Sequence, residues 1–174
     1  MKGLSSEFQG EADGPGERLI GSSDGTGLKI GIVAARYSYF ITGKLVSGAC
    51  NKLLTQGVRD EDITVCWVPG SFEIPVVASE MAKTGNWNSI ICLGAVIKGD
   101  TAHFDYVAGE AARRISQISV ETGIPVVFGV LTTFNVEQAI ERSGDGQDNK
   151  GEEAAIVAIE TANLLGSLKT VRKY

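Results

Sequence analysis

Residues 89–104 read SIICLGAVIKGDTAHF, and this stretch decides the fold. Its first nine residues, 89–97, form a continuous apolar run with the length of a buried β-strand. A Gly-Asp-Thr turn follows, and from Phe104 apolar residues recur with helical spacing until Gly123. A buried strand, a tight turn and a helix in this order are typical of the units that build parallel sheets.

The same alternation continues on both sides of this stretch. Three further apolar runs predict strands at 28–35, 62–68 and 124–131. Apolar residues at helical spacing predict helices from Ile41 to Gly57, from Ile74 to Gly85, from Phe104 to Ile118, at 136–142 and at 152–166. Strands without polar alternation are buried on both faces. The sequence therefore predicts a flavodoxin-like α/β fold, a three-layer α/β/α sandwich around a four-stranded parallel sheet.

The first 27 residues differ in composition from the rest. They hold seven glycines, five acidic and two basic side chains, and no sustained periodicity. We predict a flexible, Gly-rich acidic arm at 1–27, with a short strand near SSEFQ (5–9), and a single folded domain at 28–174.

Composition excludes several classes of function. The net charge is −5 without a basic stripe, which argues against nucleic-acid binding. No apolar run approaches the roughly 20 residues that span a bilayer, and no secretory signal is evident, so we expect a cytoplasmic protein without a membrane partner. The three cysteines have no metal-ligand spacing, and we expect neither a metal nor a disulfide; Cys66 and Cys92 are predicted as core residues.

Sites in parallel α/β sheets lie at the edge where the strands end, here called the carboxyl edge. The turn after the third predicted strand offers backbone N–H groups, the Thr101 hydroxyl and a helix N-terminus, which together suit an anion. His103, the one histidine of the chain, follows within reach and can exchange a proton near neutral pH. The alternative is that Asp100 caps the helix and His103 is a structural or surface residue.

Three other segments meet the same edge or lie near it. Phe72 and Glu73 suit a planar heterocycle, unless Phe72 enters the core and Glu73 complements a helix N-terminus. Tyr37 is a candidate stacking aromatic or an ordinary exposed one. Arg142 and Lys150 flank a Gly/Asp loop and can bind phosphate, unless they are solvated charges at helix ends.

Four spaced segments resemble a known family. VPGSFEIPVVA, LGAVIKGDTAHFDYVAGEAARRI, IPVVFGVLTT and EQAIERSG…NKGEEAA are similar, in order and spacing, to the signature segments of the 6,7-dimethyl-8-ribityllumazine synthase family of riboflavin biosynthesis. The resemblance runs from about residue 28 to 166.

The resemblance implies a reaction. 5-Amino-6-(D-ribitylamino)uracil condenses with 3,4-dihydroxy-2-butanone 4-phosphate to give the lumazine, with release of phosphate and water. Imine formation, phosphate elimination and ring closure need no metal or organic cofactor. Holding the two substrates in place is then the main source of rate.

The resemblance also assigns roles, position by position. His103 matches the proton-transfer residue. Asp100 and Thr101 match the turn that binds the butanone phosphate, and Arg142 matches the arginine that pairs with it. The positions that match pyrimidine-binding residues are Tyr37, Ser71, Phe72, Glu73, Ala95, Val96, Ile97, Phe128 and Lys150, with Phe128 supplied by the neighbouring subunit.

In the family, active sites lie between subunits of a homopentamer, and in some members twelve rings close into a 60-subunit icosahedral shell. Riboflavin synthase is a candidate protein partner. The loop before Lys150 has no added length, which favours the shell, whereas the long acidic arm does not. Two departures from the family pattern are Tyr37, in place of Phe or Trp, and Ser38, in place of Asn.

Two interpretations that assign the protein to other functional classes remain open at this point. One is a flavodoxin-like domain that binds a flavin or nucleotide without turnover. The other is a shell-forming homologue without activity. The presence of His103, Arg142, Thr101 and Glu73 argues against the second.

Overall fold

The computed structural model describes residues 18–144 and 148–171. Its strands and helices alternate along the chain. The strands are β1 (Ile30–Ala35), β2 (Ile63–Val68), β3 (Ser89–Ile97) and β4 (Val126–Thr133). The helices are α1 (Tyr39–Thr55), α2 (Ile74–Lys83), α3 (His103–Thr122), α4 (Val136–Ser143) and α5 (Lys150–Val171).

The sheet is fully parallel within the described residues and has the order β2-β1-β3-β4. Alternate residues of each strand face opposite sides. On one side Ile32 and Leu93 pack with α1, α4 and α5, and on the other Val33 and Cys92 pack with α2 and α3. The predicted α/β sandwich with a four-stranded parallel sheet is confirmed.

The predicted strand ends differ at β1 and β4. Leu28 does not enter β1, because its N–H closes a turn on the Gly25 carbonyl at 3.0 Å. β4 runs two residues further than predicted, because its ladder with β3 continues to the Ile97–Thr133 pair. Strand length is therefore set by the partner strand, which the local sequence does not contain.

Glycines end three helices as predicted. Gly57, Gly85 and Gly123 follow α1, α2 and α3 with φ of +92°, +69° and +69°, the left-handed region that glycine enters at little cost. α5 begins at Lys150, two residues before the predicted start. No helix in the described part of the chain is both long and apolar enough to cross a membrane.

Residues just before β1 are bonded to the domain. The Asn163 side-chain amide donates to the carbonyls of Ser22 and Asp24, both at 2.8 Å, and the Gly25 N–H donates to the Gln56 carbonyl at 2.7 Å. The first 17 residues of the predicted arm, with the strand expected near residues 5–9, lie outside the described residues. The division into arm and domain stays a prediction.

Candidate active site

The loops after β1 and β2 are joined at the carboxyl edge. The Arg36 N–H donates to the Val68 carbonyl at 2.8 Å, and the Tyr37 N–H donates to the Pro69 carbonyl at 3.0 Å. Tyr37 is therefore held beside the segment that leads to Phe72. Tyr37 is 76% exposed, whereas the Tyr39 ring, although Tyr39 is 64% exposed, packs on Trp67 with ring centroids 5.4 Å apart. Of the two tyrosines, Tyr37 is the one free to stack on a ligand at this edge.

Ser71, Phe72 and Glu73 form one turn of 3₁₀ helix before α2. Ser71 is buried over β3, since a Cβ built on Gly94 would lie 2.6 Å from the Ser71 Oγ. Phe72 does not enter the core: it is 58% exposed. Glu73 occupies the N-cap position of α2 but makes no side-chain capping bond. The carboxylate and the phenyl ring are therefore available to a ligand.

The last residues of β3 are paired on one side only. The β1–β3 ladder ends at the Ala34–Leu93 pair, whereas the β3–β4 ladder continues to Ile97. Residues 95–97 therefore carry backbone polar groups on the β1 side that lie outside the ladder. Ser71 lies over the face of β3 at Gly94, where the Ala35 side chain of β1 also approaches. This geometry suits a ligand that pairs with backbone, as predicted for Ala95, Val96 and Ile97.

The turn at 98–102 connects β3 to the N-terminus of α3. His103 is the first residue of α3, and Asp100, Thr101 and His103 are all exposed. The N-cap position belongs to Ala102, with no side-chain capping bond, so Asp100 is not the cap. The Thr101 hydroxyl lies 3.5 Å from the His103 N–H. The 20-residue helix thus points its positive end at an exposed turn, the arrangement that favours an anion.

A second group of predicted site residues lies in a groove beside β4. The groove has a volume of about 720 Å³ and is lined by Phe128, Arg142 and Lys150 among others; we call it the β4 groove. One Arg142 Nη donates to the Gln138 carbonyl at 2.9 Å, and the Lys150 ammonium pairs with the Glu153 carboxylate. Both cations are near helix ends, as the structural alternative held, and both also face the groove.

Within one chain Phe128 lies away from the carboxyl edge, although the β4 groove that it lines extends along the strand to Thr132, the partner of Val96. Phe128 is in register with Cys92, five residues before Ile97 at the end of β3. At about 3.3 Å per residue, the two positions are about 16 Å apart along the strand. Four parts of the predicted site lie at the carboxyl edge: Tyr37, the 71–73 turn, residues 95–97 and the 100–103 turn. Three predicted residues line the β4 groove instead: Phe128, Arg142 and Lys150.

Sequence reasoning missed Asn149. Its side chain is 4% exposed and bonds the ends of α4 and α5. An Asn directly before a helix start is a familiar capping signal, and it was available in the NKG of the sequence. The contact with α1 was not available, because the Lys44 carbonyl is 105 residues away along the chain.

The cysteines take no part in either region. Cys92 is fully buried in β3, and this burial raises the pKa of its thiol. Burial also raises the pKa of the Cys50 thiol, with Asp60 adding to the effect. A raised pKa leaves less thiolate, the nucleophilic form. All three cysteines are free.

One family model matches most of the chain. It is the model of 6,7-dimethyl-8-ribityllumazine synthase, and it matches residues 27–166. The match includes every strand, the carboxyl edge and the β4 groove. The chain therefore belongs to the 6,7-dimethyl-8-ribityllumazine synthase family, transferases of riboflavin biosynthesis.

Proposed function

We propose that the protein condenses 5-amino-6-(D-ribitylamino)uracil with 3,4-dihydroxy-2-butanone 4-phosphate to form 6,7-dimethyl-8-ribityllumazine in the cytoplasm. One observation carries the proposal beyond family membership. Ser71, the unpaired backbone of 95–97 and the turn that leads to His103 meet at one edge of the sheet. A polar heterocycle and an anion can therefore bind side by side there.

The pyrimidine binds beside the end of β3. The backbone groups of Ala95, Val96 and Ile97 that lie outside the β1 ladder pair with the polar rim of the ring. The exposed rings of Tyr37 and Phe72 cover its faces, and Glu73 accepts hydrogen bonds from N–H or O–H groups of the substrate.

The butanone phosphate binds at the start of α3. The Thr101 hydroxyl and the first N–H groups of α3 donate to the phosphate, in the turn that also carries Asp100. Arg142 is a bidentate donor for the same group. His103, at the first position of the helix, lies between the anion and the heterocycle. It moves protons during imine formation and elimination.

The bond changes balance without a cofactor. The 5-amino nitrogen attacks the butanone carbonyl, and loss of water gives an imine. Loss of a proton and of the phosphate group then gives an enol, which becomes a ketone. The ribitylamino nitrogen closes the ring on that carbonyl with loss of a second water. Each step needs alignment and proton transfer, which the edge residues supply.

The separation of Phe128 from the carboxyl edge supports an active site shared by two copies. Phe128, Arg142 and Lys150 then complete the edge of a neighbouring subunit in a homopentamer, and rings can assemble further into a shell. A heterologous contact of this kind, groove against edge, closes into a ring when the rotation between copies fits.

The test is direct. Purified protein is mixed with both substrates, and lumazine absorbance and phosphate release are followed together. We expect both to rise in parallel, faster than in the uncatalysed mixture. No acceleration would refute the synthase proposal. Tight flavin binding without turnover would then favour the binding-domain alternative.

A further inference from the structure

We propose that Asn149 is a positioning residue that sets Arg142 in the β4 groove for the phosphate-bearing substrate and holds the backbone of Lys150 beside it. The inference rests on the proposed function. Asn149 touches neither substrate in this scheme and acts through the backbone of the two cations.

The Asn149 side chain joins three helices. Its Oδ1 accepts from the Gly151 N–H at 2.8 Å, which caps the start of α5. Its Nδ2 donates to the carbonyls of Ser143 and Gly144, at 3.1 and 3.2 Å, which satisfies the end of α4. The same Nδ2 lies 3.2 Å from the Lys44 carbonyl of α1.

The position of these bonds connects them to the groove. Arg142 directly precedes Ser143, and Lys150 directly follows Asn149. Both cations line the β4 groove. One amide therefore fixes the backbone next to each cation, although the two cations belong to different helices. The Arg142 side chain is also bound to α4, through the Gln138 carbonyl at 2.9 Å.

Two glycines, Gly48 of α1 and Gly151 of α5, leave room for the Asn149 amide. A Cβ built on Gly48 of α1 would lie 2.5 Å from the Asn149 Oδ1, and a Cβ on Gly151 would lie 2.0 Å from the Leu45 carbonyl oxygen. Glycine at both positions lets α1 and α5 approach closely enough to bury the amide. Only an amide supplies both the acceptor and the donors that these bonds need. A carboxylate could still cap α5, but its other oxygen would face the three carbonyl oxygens and could not donate to them.

The experiment uses steady-state kinetics of the full chain. Asn149→Asp keeps the size and the capping acceptor but removes the donors. We expect KM for the butanone phosphate, and the inhibition constant of inorganic phosphate, to rise about tenfold or more. KM for the pyrimidine should rise by no more than about threefold, because Tyr37 and the 71–73 turn are held by other bonds and, of the positions matched to the pyrimidine, Lys150 is the one that adjoins Asn149.

The matched control is Asn163→Asp. Asn163 also donates through its amide to two backbone carbonyls, at 2.8 Å each, but it binds the segment before β1. We expect this change to leave both KM values unaltered. A fall in kcat alone in Asn149→Asp, or equal effects on both substrates, would mean a merely structural role and would overturn the inference.

A second variant covers the case in which Asn149→Asp does not fold. Gly48→Ala introduces a Cβ whose nearest neighbours are all atoms of the Asn149 side chain. It should raise KM for the butanone phosphate, whereas Gly166→Ala, which meets no atom within 4 Å, should not. Failure of both Asn149→Asp and Gly48→Ala to fold would overturn the inference. If the wild-type protein shows no turnover, both the proposed function and this inference fail. If the wild type is active but the variants raise both KM values equally, only this inference fails.

Discussion

Ser38 lies between β1 and α1 with φ of 59° and ψ of 41°, in the left-handed region. Its carbonyl accepts from the N–H groups of Ile41 and Thr42, at 2.8 and 3.0 Å, and so starts α1. Residues other than Gly, Asn and Asp pay about 1–2 kcal/mol for this conformation. The backbone conformation of residue 38 therefore suits the Asn of the resembled pattern better than the Ser that this chain has.

We expect Ser38→Asn to stabilise the protein by about 0.5–1 kcal/mol, because Asn enters the left-handed region more readily than Ser. Such a gain corresponds to a rise in Tm of roughly 1–4 °C for a chain of this size. Thermal unfolding measures it. Ser47→Asn, at an exposed helical position of α1, is the control and should not raise Tm. An unchanged or lower Tm in Ser38→Asn would show that the strain is absent or relieved.

Arg142 and His103 should differ in how their loss affects the kinetics. Arg142→Ala removes charge-assisted bonds worth about 1.5–3 kcal/mol, so KM for the butanone phosphate should rise roughly 10- to 150-fold. His103→Ala should lower kcat moderately, because the substrates stay aligned. Arg113→Ala, on the exposed side of α3 and paired with Glu110, is the arginine control. If Arg142→Ala left KM for the phosphate substrate unchanged, its assigned role would be wrong.

At the scale of elements, sequence and structure agree where burial decides the outcome. β3 is buried from Ser89 to Ala95, and its continuous apolar run was sufficient to predict it. The meeting of the 71–73 turn, residues 95–97 and the 100–103 turn at one edge was also predictable, because parallel strands end at a common edge. The end of β4 was not, because it depends on pairing with Ile97. The resemblance had assigned Phe128 to a neighbouring subunit, but its distance from the edge follows from the register with Cys92, which local sequence does not contain.

Burial of Cys92 within β3 should make stability depend on alkaline pH. Its folded pKa is raised above the unfolded value, so above about pH 9 the unfolded chain loses a proton that the native state keeps. The free energy of unfolding should then fall with pH, by up to about 1.4 kcal/mol per pH unit from this thiol. Below the unfolded pKa the effect vanishes.

Denaturant unfolding of wild type and Cys92→Ala at pH 8 and pH 10 isolates this contribution. The other titrating groups are common to both proteins and cancel in the difference. The wild type should lose more stability than the variant between the two pH values, whatever their absolute stabilities. An equal fall of the free energy of unfolding with pH in the two proteins would contradict the prediction that the Cys92 thiol stays buried and protonated in the native state.

At the scale of the whole molecule, the two groups of site residues lie on different parts of one chain. The carboxyl edge carries the 71–73 turn and His103, and the β4 groove carries Phe128 and Arg142. If each active site combines the carboxyl edge of one subunit with the β4 groove of its neighbour, a chain with a defective edge and a chain with a defective groove should restore activity when they assemble together. A site contained within one chain could not be restored in this way.

The test coexpresses two chains, one with His103→Ala and Glu73→Ala, the other with Arg142→Ala, and assays them at butanone phosphate far below the raised KM, where each chain alone is weakly active. In a ring with random order, about a quarter of the interfaces then join an intact edge to an intact groove, so activity should recover to about a quarter of wild type. Arg142→Ala coexpressed with Phe128→Ala is the matched control, because both changes fall in the groove. That control pair should show no activity beyond that of the two chains expressed separately. The same result for the first pair would place the complete active site within a single subunit.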